Sequence, residues 1–330
     1  MSISNSHKLF QSQNSQPRVA VSACLLGQRV RYDGKQKQHA FVCRQLQNCC
    51  NLAPICPEVE IGMGVPRPAI QLIDLAGEIK AVGVAQSGLD VTQKLNRFGS
   101  KTAQQLSGLD GYVFKARSPS CGVASTLIKY SDGRRNKAAG LFAAQIMKQW
   151  PLLPVVEEDK LQTLAQQANF VQRLMAYRRW RSFVDADPDW SDLRQFHQTH
   201  RFELMSHSLR GWRSLQAWLL ARGDKTGCLS RTDLLDYGQQ YMAQFGRQAS
   251  RRRHEQVLRR LARLLHPGLS ARQNDHLEAS IERFRQAEQS LLVLISLLQK
   301  HQAHVGLSEL KDQSYLEVDV EILRWAYKKQ

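Results

Sequence analysis

Acidic residues are scarce in this 330-residue chain, where 29 Asp and Glu face 46 Lys and Arg and leave a formal net charge of +17 at pH 7. That shortfall points to a polyanionic partner, nucleic acid ahead of a membrane surface. No run of about 18 apolar residues occurs, which excludes a membrane-spanning helix. The first sixteen residues, Met1–Gln16, are rich in Ser, Asn and Gln and contain no apolar segment, so they are not a secretory signal and read as a disordered tail. Cysteines number seven, an odd count without regular spacing and without a Cys-x-x-Cys pair, so neither a disulfide framework nor a zinc ribbon is expected. A reducing cytoplasm suits such a chain. A P-loop pattern and internal repeats are also missing. What remains is globular: 42% hydrophobic and 23% charged residues, over a length that accommodates two domains.

Strand-like and helix-like segments alternate from Val19 to about Glu158. Short apolar runs at Val19–Ala23, Leu52–Ile55, Tyr112–Lys115 and Leu152–Val156 read as strands. Ile70–Ile73 and Ile79–Val82 flank Gly77 as a hairpin. Helices are expected over Lys35–Cys50, over Thr92–Leu106 with Thr92 as N-cap, and over Ala138–Trp150, where Pro151 stops the last. This alternation predicts an α/β domain with a largely parallel sheet. From Leu161 onward the strand signals vanish, and Leu161–Arg181, Leu193–Leu220, Leu234–Leu265 and Leu277–Gln302 carry apolar residues at helical spacing. The expected layout is therefore an α/β domain over 17–160, a connecting helix over 161–189 and an all-α domain over 190–330.

Cys24, Cys56 and Cys121 follow three of the strand-like runs. If those strands are parallel neighbours, the thiols meet in one crevice at the carboxyl edge of the sheet, where α/β proteins bind ligands. Three thiolates there can hold a metal centre and leave one coordination position empty. Cys43, Cys49, Cys50 and Cys228 fit the commoner role of small buried hydrophobes. Around the three strand ends stand residues suited to hydrolytic chemistry. Glu58 lies two residues beyond Cys56 and can orient or deprotonate water. Ser118 and Ser120 precede Cys121 and can relay a proton, while Lys115 and Arg117 can hold an anionic group. Arg31, Tyr32 and Asp33 set a guanidinium, a ring and a carboxylate near the first cysteine.

Six ordered motifs carry a resemblance over roughly residues 17–160: Ser22-Ala23-Cys24-Leu25-Leu26-Gly27, Arg31-Tyr32-Asp33-Gly34, Cys56-Pro57-Glu58, Pro66-Arg67-Pro68, Gly88-Leu89-Asp90-Val91-Thr92 and Lys115-Ala116-Arg117-Ser118-Pro119-Ser120-Cys121-Gly122. Together they are similar to the motif set of the thiouracil desulfidase family. The resemblance implies a 4Fe-4S cluster on Cys24, Cys56 and Cys121, with the fourth iron free to take a thiocarbonyl sulfur. It also implies Glu58 and one serine of the Ser-Pro-Ser-Cys motif as catalytic side chains, Ser118 being preferred to Ser120. Phe170-Val171-Gln172-Arg173, Phe196-His197-x-x-His200, Leu204-Met205-Ser206-His207 and the stretch from Tyr315-Leu316 to Leu323-Arg324 resemble a helical domain found fused to this desulfidase, as in tRNA 4-thiouridine desulfidases. Glu317-Val318-Asp319-Val320 departs from that pattern, which has a proline-rich stretch there.

The helical half also carries the charge. Arg247–Arg263 holds seven arginines opposite an apolar stripe of Val257, Leu258, Leu261, Leu264 and Leu265. Such a face is often merely solvated, but with little acid beside it phosphate binding is an equal reading. Arg251, Arg252, Arg259 and Arg263 are therefore expected on an RNA path, joined by Arg178 and Arg179, where Trp180 is either a stacking residue or core. His197, His200 and His207 share a helical face, but no acid ligand stands near enough to suggest a metal. The expected activity is removal of sulfur from a thiolated uracil, 4-thiouridine in tRNA or its nucleotide, with 2-thiouracil as a further substrate. The rivals are a sulfur transferase on the same cluster and a non-enzymatic RNA-binding protein with structural zinc on the three cysteines.

Overall fold

The computed structural model describes residues 16–317 except 87 and 224. Residues 1–15 of the expected tail, and 318–324 of the C-terminal stretch, lie outside the described residues. The chain forms two compact units that divide between Thr163 and Leu164.

In the first unit four strands, β1 (Arg18–Ser22), β2 (Asn51–Ile55), β5 (Gly111–Phe114) and β8 (Val155–Glu157), make an all-parallel sheet in the order β2-β1-β5-β8. Its two central strands are covered on both faces, and Val19, Ala20, Val21, Tyr112, Val113 and Phe114 are wholly buried. That is why they read as unbroken apolar runs rather than alternating ones. Phe142, from the helix Leu141–Gln149, packs edge-on against Tyr112 and Phe114. β1 continues to β2 on one side, whereas β5 has β8 on the other. The order of connections thus reverses between β1 and β5, which opens a crevice at their carboxyl ends.

A second, mixed sheet is built from β3 (Ile70–Leu75), β4 (Glu78–Gly83), β6 (Thr126–Lys129) and β7 (Arg135–Ala138), in the order β4-β3-β6-β7. The expected hairpin is β3–β4, turned by Ala76 and Gly77 at φ 54° and 87°. The sequence did not separate this sheet from the first, nor reveal β6 and β7, which are short and largely polar. Two helical expectations need correction. Regular helix begins only near residue 40 in the Lys35–Cys50 stretch. Thr92 does not cap the helix Thr92–Gln105; Val91 holds that position, and the Thr92 hydroxyl accepts the Ala81 N–H at 2.8 Å.

The second unit is built from helices and their connecting loops, with no strand beyond the isolated Asp189–Cys228 bridge among its described residues. The helix Leu164–Asp185 belongs to it rather than serving as a connector, because Trp180 is buried against Phe183, Phe196, Tyr237 and Tyr241. Trp180 is thus core, not a stacking surface. The longer expected helices are each divided. Leu193–Leu220 becomes Trp190–Thr199, Arg201–His207 and Leu209–Leu220. Leu234–Leu265 becomes Arg231–Phe245 and Arg251–Leu265, and Leu277–Gln302 becomes Ala271–Arg285 and Leu291–Val305. The apolar period runs on across the breaks, but five of these seven helices start on a side-chain cap: Asp189, Ser208, Ser230, Ser250 and Ser270 accept N–H groups from the first turn, whereas His200 and Ser290 make no such bond. No helix among the described residues is long and apolar enough to cross a membrane.

Five histidines are buried in this unit: His197, His200, His207, His254 and His301. His197 has its ring nitrogens 3.0 Å from the Tyr237 hydroxyl and 3.0 Å from Gln216 Oε1, a pattern that suits the neutral ring. His254 meets the Tyr315 hydroxyl at 2.9 Å. Burial lowers His197 to about 4 and His254 to about 3, and also lowers His200 and His207. A histidine held neutral in the fold contributes stability above its unfolded pKa of about 6.5, and loses it as pH falls toward the folded value. Each of the first two is worth on the order of 1–2 kcal/mol at pH 5. Acidification from pH 7 to 5 is therefore expected to lower the melting temperature through the helical unit, as followed by helical ellipticity. An unchanged melting curve would contradict this.

Candidate active site

Cys24, Cys56 and Cys121 all leave the carboxyl edge of the parallel sheet. The register aligns Ser22 with Ile55 and Val21 with Val113, so the ends of β1, β2 and β5 lie side by side. Cys24 sits in a single 3-10 turn, Ala23–Leu26, directly after β1. Cys56 follows β2 and precedes a short helical turn started by Pro57. Cys121 lies in the loop between β5 and β6, which closes tightly on itself. Gly122 N–H donates to Ser118 O at 2.9 Å, and Leu141 and Ala143 N–H groups donate to the carbonyls of Pro119 and Ser120 at 3.0 Å each. Gly140 is required there, since a Cβ would stand 2.5 Å from the Ser120 carbonyl carbon.

The three thiols share one environment. Burial pushes Cys24 up to about 11, with neighbouring Lys115 opposing the rise and Cys56 adding to it. Burial likewise raises Cys56, and raises Cys121 well above the ordinary thiol range, the latter also feeling Glu58, Cys24 and Cys56. The Ser22 hydroxyl lies against the Cys121 thiol and accepts the Lys115 N–H at 2.9 Å. Buried thiols of this kind ionise when an electrophilic metal takes the sulfur. No three His, Cys, Asp or Glu side chains among the described residues are arranged to hold a single metal ion. One zinc would need all its sulfurs within about 2.3 Å of one point. Three thiols at adjacent strand ends are a donor set that also fits a cluster, whose several irons each take one thiolate.

Glu58 and Ser120 meet beside Cys121. The Ser120 hydroxyl is buried and donates to Glu58 Oε1 at 2.9 Å, and Arg67 Nε donates to Glu58 Oε2 at 2.8 Å. Arg67 is itself fixed by the carbonyls of Gly64 (3.0 Å) and Val30 (2.8 Å), and its Nη2 lies 4.0 Å from Cys56 Sγ. The carboxylate is thus held between a cation and a hydroxyl that donates a hydrogen bond to it. Ser118 is placed differently. Its Oγ accepts the N–H groups of Ser120 at 3.3 Å and Cys121 at 3.1 Å, so it caps the cysteine loop instead of meeting Glu58.

Lys115 pairs with Glu158 at 2.5 Å, and Ala116 N–H donates to the other Glu158 oxygen at 2.5 Å. Arg117 is mostly exposed, adopts φ 60°, and has Asp159 3.9 Å away. Arg31 lies 3.6 Å from Asp33 and 5.8 Å from the centre of the Tyr32 ring, which is 47% exposed. The other cysteines have separate surroundings. Cys43 Sγ faces Leu25 O at 3.4 Å, Cys49 and Cys50 lie 3.8 Å apart, and Cys228 is exposed in the helical unit.

Three side chains that position this site were not singled out in the sequence. Arg67 stood within a motif, but nothing in its spacing revealed a partner nine residues back. Glu157 Oε1 accepts Val123 N–H at 2.7 Å and the Ser125 hydroxyl at 2.5 Å, fixing the far side of the Cys121 loop. Glu158 does the same for Lys115. Their one signal was a pair of acids at a strand end in an acid-poor chain.

The six arginines expected on an RNA path divide. Arg179 is enclosed and forks onto both Glu203 oxygens at 2.7 and 2.6 Å. Arg251 donates to Phe284 O at 2.6 Å and covers that ring at 4.8 Å. Arg259 lies within 3.0 to 3.5 Å of Glu255, Glu278 and Glu282. These three are occupied within the fold, the last because acids 19 and 23 residues away in sequence come to neutralise it. Arg252 and Arg263 are exposed, and Arg178 is half-buried.

Residues 19–158 match the family profile described as 2-thiouracil desulfurase, and residues 201–319 match one described as a protein of unknown function, DUF1722. Curated proteins give no match. Among solved structures, a 4Fe-4S-dependent thiouracil desulfidase, TudS, is 31% identical over 44% of this chain and 93% of its own, with a TM-score of 0.36. By the family match and by that identity across nearly the whole of the smaller protein, the chain belongs, through its first unit, to the 2-thiouracil desulfurase family.

Proposed function

We propose that this protein is a desulfidase that replaces the sulfur of a thiolated uracil by oxygen, with 4-thiouridine in tRNA or its nucleotide as substrate. The observation that carries the reading is the convergence of Cys24, Cys56 and Cys121 at three adjacent strand ends, beside a Glu58 carboxylate already hydrogen-bonded to Ser120. Cys24, Cys56 and Cys121 would hold a 4Fe-4S cluster, which supplies Lewis acidity toward the thiocarbonyl sulfur.

The remaining work falls to the chain. Glu58, kept in place by Arg67, accepts a proton from the water that attacks the ring carbon, directly or through the Ser120 hydroxyl. Ser118 holds the loop that presents Cys121. Arg31, Tyr32, Asp33, Lys115 and Arg117 would receive the ring and an anionic group of the substrate. The reaction balances as C=S plus water giving C=O plus hydrogen sulfide, with no change in the oxidation state of the base.

Anaerobic purification tests this. A brown protein containing iron and acid-labile sulfide, which bleaches a thiolated uridine nucleotide and releases one hydrosulfide per uridine formed, is the expected result. Sulfur retained on the protein or passed to an acceptor would favour the transferase instead. A colourless zinc protein without turnover would overturn the reading.

A further inference from the structure

The second sheet of the first unit has a covered face and an open one. Ile70, Leu72, Ala81 and Ile128 point inward and are buried with Val91, Leu95 and Leu141. Alternate residues point outward. There Leu75 and Leu127 are 47% and 48% exposed, and Ile73 and Val82 are half-buried. Along one side of this open face the β6–β7 register sets Leu127 opposite Lys137 and Lys129 opposite Arg135, and all three cations are exposed.

Like charges directly opposite one another weaken a strand pair. The nearby acids do not relieve them. Asp132 pairs with Arg134 at 2.5 Å, Glu78 with Lys80 at 3.5 Å, and Asp74 accepts the Gly77 N–H at 3.1 Å. Lysine on an edge strand can simply discourage aggregation. That accounts for β7, but Lys129 lies on β6, an interior strand in the order β4-β3-β6-β7. A second copy of the chain seated here would set cations against cations. The row needs an anionic partner.

The hairpin is also tied to the site. Thr126, the first residue of β6, donates its hydroxyl to Ser118 O at 2.8 Å. At the end of the returning strand, Gly140 N–H donates to Gly122 O at 2.8 Å. Lys137 therefore lies at the Cys121 loop, and Arg135 and Lys129 lie about 7 Å further along the strands.

We propose that this open face, along Lys137, Arg135 and Lys129, carries the phosphodiester backbone of a thiolated RNA and leads away from the base held at Cys24, Cys56 and Cys121. The inference rests on the desulfidase reading for the identity of the base, and not for the affinity of the surface. Each phosphate contact to a single strand contributes about 0.7 to the slope of log affinity against log salt.

The test compares the cluster-loaded full chain with two triple variants, Lys129→Glu/Arg135→Glu/Lys137→Glu and Lys129→Gln/Arg135→Gln/Lys137→Gln. The probe is a short fluorescent RNA containing 4-thiouridine, titrated under anaerobic conditions at several salt concentrations. Affinity is expected to fall at least tenfold in the Glu variant, and the slope to drop by about 2 in both. Turnover of a thiolated uridine mononucleotide should be unchanged, and in the Gln variant the melting temperature should be unchanged or raised, since its opposed like charges are removed. Equal affinity and slope in all three proteins, or no salt-dependent RNA binding by the wild type, would overturn the proposal. If the slope drops but no protein desulfurates either the mononucleotide or the RNA, the desulfidase reading fails and the RNA surface stands.

Discussion

Alanine in place of any one of Cys24, Cys56 or Cys121 is expected to abolish both the iron–sulfide chromophore and turnover, while leaving the chain folded. The physical ground is the number of ligands. Three protein thiolates are the whole protein share of the proposed cluster, and no fourth cysteine is positioned to substitute. Cys43 points at the Leu25 carbonyl, Cys49 and Cys50 face each other and the Leu46 carbonyl, and Cys228 belongs to the helical unit. Replacing those four should therefore leave iron and sulfide content near the wild-type value. The side chains at stake are small, so the parallel sheet should survive, and circular dichroism can verify that each variant is folded before its iron is counted. A Cys49→Ala protein without cluster beside a Cys56→Ala protein that keeps it would reverse the thiol assignment.

The parts of this molecule that could be read from sequence are those where one local rule decides. β1, β2 and β5 are apolar because both faces of a parallel sheet are covered, and the cysteines at their ends stand out against Pro, Gly and Ser. Gly77 between two apolar runs announces its own turn. Where several rules compete, the reading was coarser. The helical period of Leu193–Leu220 runs past His200 and Ser208; the second break is marked by a capping serine, and the first has no side-chain cap to mark it. β6 and β7 are too short and too polar to separate from a loop. Charge was least legible of all, because a cation's role depends on which carboxylate the fold brings to it. Arg259 looked free on its own helix and is neutralised by Glu278 and Glu282 of the next. Lys129, Arg135 and Lys137 drew no notice in the sequence and are aligned by a register no periodicity displays. The serines were the same problem at smaller scale. Ser118 and Ser120 have equal standing in the motif, and only the loop conformation gives one to Glu58 and the other to the backbone.

That division of labour sets the second large effect. Glu58→Gln should retain the cluster and lose turnover by at least about a hundredfold, the usual scale for a general acid–base group. The carboxylate now accepts from Arg67 on one oxygen and from Ser120 on the other. An amide can satisfy the first only by turning its oxygen to the guanidinium, since Arg has no acceptor to offer its NH2. The NH2 must then donate to the Ser120 oxygen. Every heavy atom can stay in place, but the Ser120 proton loses its acceptor and the group no longer takes a proton from water. Ser120→Ala should give a loss of the same kind, with the cluster in place. Ser118→Ala should behave otherwise: the Ser120 and Cys121 N–H groups lose their acceptor, so iron retention should fall along with rate. Turnover measured per cluster separates the two outcomes. Near-normal turnover per cluster in Glu58→Gln would remove Glu58 from the proton path, and an unaffected Ser120→Ala beside an impaired, fully loaded Ser118→Ala would return the catalytic role to Ser118.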